Sequence, residues 1–130
     1  MHKTSFGLVL LAAAALLPAR TGAQGADWYT RDYRACAEKE STLETVECID
    51  DLYGLWDDRL NAAYRQALDF LPAERGSALD AVQQRWLAYR EASCRFYGSG
   101  HGALAQVEAA VCLYVLTRDR ALELETLLER

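Results

Sequence analysis

The sequence predicts an all-α fold: a small disulfide-stapled bundle of about four helices, one of them short. Three observations carry that expectation. Apolar residues recur at helical spacing over two breaker-poor stretches of more than twenty residues. No stretch shows strand-like alternation or a hairpin signal. Four cysteines, an even count, follow what looks like an export signal, and that combination is the usual mark of structural disulfides.

The signal itself is residues 1–23. Basic His2 and Lys3 precede an apolar run from Phe6 to Leu17, then Pro18 and a Thr21-Gly22-Ala23 ending suited to cleavage before Gln24. The run is too short to span a bilayer, so no membrane insertion is expected after cleavage. Residues 24–130 are enough for one domain with one core. Cleavage removes two basic residues and no acid, which takes the formal charge from −5 to −7. Such an acidic chain argues against nucleic acid or anionic membrane as partner and favours a neutral or cationic one.

Residues 27–40 contain no breaker and predict a short first helix, with Trp28 and Tyr33 as inward candidates. Ser41-Thr-Leu-Glu44 has the form of a capping box and marks a new start. The second helix should run from about Leu43 to Leu71, with an irregularity at Gly54. Around Trp56, the residues Ile49, Leu52, Tyr53, Leu60, Ala63, Ala67, Phe70 and Leu71 share one stripe. Pro72 and the segment Glu74 to Ser77 are expected to form the turn to the third helix.

In the third helix Leu79, Val82, Trp86, Tyr89, Arg90, Ser93 and Tyr97 fall on one stripe. A guanidinium among apolar neighbours needs a carboxylate, and Asp57 is the first candidate for Arg90, with Asp50 the second. Gly98 to Gly102 is a glycine-rich loop. The last helix, from about Ala103 to Leu128, carries two apolar faces, so it is either wedged between other helices or docks a partner, including a homodimer twin.

Four cysteines allow three connectivities. Sequence proximity favours Cys36 with Cys48 and Cys94 with Cys112, each bridge being worth about 3 kcal/mol by loop entropy. There is no C-x-x-C pair and His101 is the one histidine left after cleavage, so neither a metal nor any other cofactor is expected. The paired acids (Asp50-Asp51, Asp57-Asp58) point in different directions on a helix, and Ser99 and His101 lack a third group to orient them. The chain therefore reads as a non-enzyme. Held at both ends by a disulfide, the Gly98 to Gly102 loop would instead present Ser99 and His101 to a partner's cleft.

Cys36, Thr45-x-x-Cys48, Asp57-x-x-Leu60-Asn61-x-x-Tyr64, Gln84-x-Trp86-Leu87-x-Tyr89-Arg90, Cys94, Cys112-Leu113 and Thr117-x-x-Arg120 together resemble the LprI-like lysozyme-inhibitor domain family. The resemblance covers nearly all of residues 24–130. It implies a disulfide-stapled helical domain of the bacterial envelope, periplasmic or secreted, with inhibition of lysozyme described for the founding member and a protein partner such as a cationic lysozyme. The founding member is a lipoprotein, whereas no cysteine lies near the cleavage site here. The functional expectation is a binder that inhibits c-type lysozyme. The rival expectation is a structural or assembly module of the periplasm that docks a protein through its last helix.

Overall fold

A computed structural model describes residues 31–129. The expected signal at 1–23, and with it Trp28, lies outside the described residues. Four helices follow in order: α1 Arg31–Ala37, α2 Thr42–Phe70, α3 Ala73–Gly98 and α4 Gly102–Leu128. No strand occurs among the described residues, and no described helix is long and apolar enough to cross a membrane.

The capping box forms. Glu44 N–H donates to Ser41 Oγ at 3.2 Å, and Ser41 N–H donates to Glu44 Oε2 at 3.0 Å. Two orphan amides of the α2 start are thereby satisfied reciprocally. Contrary to expectation, α2 passes through Gly54 without interruption. The space beside Gly54 is open, so this residue lowers local helix propensity without marking a bend.

The α2–α3 turn is tighter than the sequence suggested. Leu71, extended at φ −79° and ψ 146°, and Pro72 make the whole connection, and Glu74 to Ser77 already belong to α3. The physical reason is proline's double effect. It biases the residue before it away from the helical region, and its own fixed φ, here −55°, suits a helix entrance where no N–H is needed. Gly76 is not a breaker but a buried residue of the first turn, with its N–H donating to Pro72 O at 2.9 Å.

The wedge is α4. It packs along both α2 and α3, and Tyr114, Val115, Thr117, Ala121 and Leu124 are at most 2% exposed. Two apolar clusters lie along it. One gathers Cys36, Ile49, Ala110, Tyr114 and Val115 near the α1 end. The other gathers Leu60, Ala63, Ala121 and Leu124 towards the α2–α3 turn. Trp56 of α2 touches both. Phe70, which shares the predicted α2 stripe, is exposed, as are Leu104 and Leu122 of α4.

The α3 stripe also needs correcting. Val82, Tyr89 and Tyr97 are exposed, while Gly76, Leu79, Gln83, Trp86, Leu87, Arg90 and Cys94 face the bundle. The buried face overlaps the expected one at Leu79, Trp86, Arg90 and Ser93 but is rotated towards Gln83 and Cys94, because apolar side chains occur on both sides of α3 and their spacing alone cannot say which side a neighbour covers.

Candidate partner-binding site

Both disulfides bind neighbouring elements. Cys36–Cys48 ties α1 to α2 and Cys94–Cys112 ties α3 to α4, each with a Cα–Cα distance of 5.4 Å. There are no free cysteines among the described residues.

The Gly98–Gly102 stretch forms a short tip on the α3–α4 hairpin. Gly98 ends α3, and a Cβ there would sit 3.2 Å from Ala109 Cβ, so the missing side chain is what lets α4 cross so closely. Gly102 opens α4 at φ +76°, a conformation that a side chain disfavours. Between them Ser99 and His101 are exposed. Ser99 Oγ donates to Phe96 O at 2.6 Å, which fixes the α3 end, and His101 occupies the N-cap position of α4 without a side-chain capping bond. The two side chains share one tip. No group of three or more His, Cys, Asp or Glu side chains able to hold a metal occurs among the described residues.

Beside the tip lies an open apolar groove of about 410 Å³, lined by Tyr33 of α1, Tyr97 of α3 and Leu104, Val107, Glu108, Val111 and Cys112 of α4. Sequence reasoning missed it, because it exists only where the start of α1 meets the far end of the α3–α4 hairpin.

The Trp-x-x-Tyr-Arg stretch of α3 serves a different purpose. Arg90 Nη1 donates to Thr117 Oγ1 at 2.9 Å and stands 3.4 Å from Asp57 Oδ1, while Asn61 Nδ2 donates to Asp57 Oδ2 at 3.1 Å. Asp50, the second candidate, is exposed. The guanidinium carbons of Arg90 and Arg120 lie 5.0 and 5.9 Å from the Trp86 ring, so the indole stands between two cations. Arg120 Nε donates to Gln83 Oε1 at 3.0 Å. Gln83 is the buried glutamine, while its neighbour Gln84 and also Tyr89 are exposed. Leu60 belongs to the core, and Tyr64 donates to Asp80 Oδ1 at 2.6 Å, a bond that raises the phenol's pKa. Partial burial works against the charge on Arg118, yet its bonds to Asp119 and Tyr114 outweigh that penalty and raise its pKa. Arg90, Thr117, Asp57, Gln83 and Arg120 thus form a polar girdle between the helices.

Comparison with known proteins identifies a family. The profile of the family described as lysozyme inhibitor LprI matches residues 34–124. An uncharacterized protein of Rhizobium meliloti (strain 1021) is 31% identical, with 72% of this chain and 78% of that protein covered. No solved structure matches. The matched span runs from α1 to near the end of α4 and takes in both disulfides and the girdle, and the chain belongs to the LprI lysozyme-inhibitor family of exported proteins.

Proposed function

We propose that the protein acts in the periplasm or outside the cell as a non-catalytic inhibitor of c-type lysozyme, and that the α3–α4 tip enters the enzyme's cleft with Ser99 and His101 facing its catalytic carboxylates. The observation that carries the reading is how that tip is anchored. It is braced by Cys94–Cys112 and by the close crossing at Gly98, so little conformational freedom is lost when it docks. An acidic chain would also be steered towards a strongly cationic enzyme. Tyr97 and Leu104, at the rim of the adjoining groove, supply apolar area next to the polar tip.

The rival reading, docking through the last helix, draws less support, since Tyr114, Val115 and Leu124 of its apolar faces are buried within the chain and only Leu104 and Leu122 stand exposed among its large apolar residues. The test is lysozyme turnover with purified residues 24–130. Inhibition that weakens as salt rises, and that falls about tenfold or more in Ser99→Ala/His101→Ala, is the expected result. No inhibition by the folded parent protein would overturn the proposal, and undiminished inhibition by the double variant would remove the tip from it.

A further inference from the structure

The outer face of α3 is the other prominent unoccupied surface. Val82, Tyr89 and Phe96 recur every seventh residue and are 47%, 58% and 73% exposed. Between them the same face shows Ala78, Arg85 and Ala92, all exposed, with Ala81 and Ala88 alongside. A seven-residue repeat of large apolar positions is the pattern that packs against a second helix. No described element of the chain supplies one.

The two ends of this face differ in a complementary way. At its start, Leu79, Val82, Leu124 and Leu127 line a groove of about 200 Å³ whose polar wall is Arg120 and Glu123. At its finish, Phe96 projects from α3, 73% exposed, with the Tyr97 ring edge-on at 5.5 Å. The groove and the ring are about 25 Å apart at 1.5 Å per residue, so one copy cannot join them.

We propose that a second copy of this chain does so, by laying its α3 antiparallel across this face. In that register Ala78 meets the partner's Phe96, Val82 meets the partner's Ala92, and Arg85 meets the partner's Tyr89. Large side chains oppose small ones and a cation opposes a ring at every level. Each copy's Phe96 enters the other's groove, because Ala78 directly precedes Leu79 and lies one turn before Val82. Arg120 is 6% exposed, and its Nη2 has no hydrogen-bond acceptor among the described residues, so the π-face of an incoming ring suits that wall. A parallel copy would instead set Phe96 against the partner's Phe96 and leave both grooves empty. The antiparallel arrangement is isologous and closes as a dimer.

The interface is small, so the experiment runs at about 100 µM and above. Sedimentation equilibrium of residues 24–130 should give a reversible monomer–dimer mass, and Phe96→Asp should weaken association at least about tenfold with an unchanged melting curve at dilutions where both proteins are monomeric, since Phe96 is outside the core. Ala78→Trp, which blocks the opposing position, should do the same. Isotope-filtered NMR on a labelled and unlabelled mixture should show contacts between the Phe96 ring and the partner's Leu124 and Leu127 methyl groups. A monomeric mass for the parent protein at these concentrations overturns the proposal. So does a dimer that tolerates Phe96→Asp, or one that lacks those intermolecular contacts.

Discussion

The two ends of the bundle are held by different means. At the α1 end, Cys36–Cys48 and Cys94–Cys112 flank the cluster built on Ile49, Tyr114 and Val115. At the α2–α3 turn there is no covalent link. Leu60, Ala63, Ala121 and Leu124 pack there, helped by a bidentate Arg59–Glu125 pair at 2.9 and 2.7 Å and by the Tyr64–Asp80 bond. The end that carries the candidate recognition tip has its freedom removed in the unfolded chain as well as the folded one. The opposite end relies on packing and on exposed polar pairs of small individual worth.

Breaking the covalent end has the largest expected effect. Reduction of both disulfides should cost about 3 kcal/mol each, a large share of what a domain of this size possesses. Thermal melting with and without reductant reads it. Hydrogen exchange should show protection falling first around Ile49 and Val115, with the turn end following, and the reverse order would overturn the contrast. A middle-sized effect is expected from Arg90→Leu. It withdraws the donor from Asp57 and Thr117 where the two ends join, at about 2 kcal/mol, and both ends should lose protection together. Lost lysozyme binding in that variant at an unchanged melting temperature would show that Arg90 belongs to the recognition surface instead.

The smallest effect is at the uncrosslinked end. Tyr64→Phe should cost below about 1 kcal/mol, because the bond to Asp80 is largely exposed. Its pH dependence has a definite sign. The bond raises the folded pKa of Tyr64, so its contribution is full below the ordinary tyrosine value of about 10 and is lost as pH rises through the raised one. Denaturation curves of the parent and the variant should therefore converge in strong alkali.

The four helices and the capping box were legible because they depend on local spacing and local chemistry. Asp57 could be nominated for Arg90 because a buried cation makes a demand on the rest of the chain. What escaped depends on contacts across helices. Gln83 looks like any exposed glutamine until Arg120 arrives from α4. Val82 and Tyr89 look inward until α4 is seen to cover a different side of α3. The glycines at the tip signal a loop, but that Gly98 makes room for Ala109 is visible only once the hairpin closes.

The order of the cysteines has a consequence for how the protein is made. Each cysteine pairs with the next one along the chain, Cys36 with Cys48 and then Cys94 with Cys112. A polypeptide threaded through an export pore with its N-terminus leading exposes Cys48 to its mate well before Cys94 emerges. Oxidation of thiols in the order in which they appear along the chain leads to this native pairing.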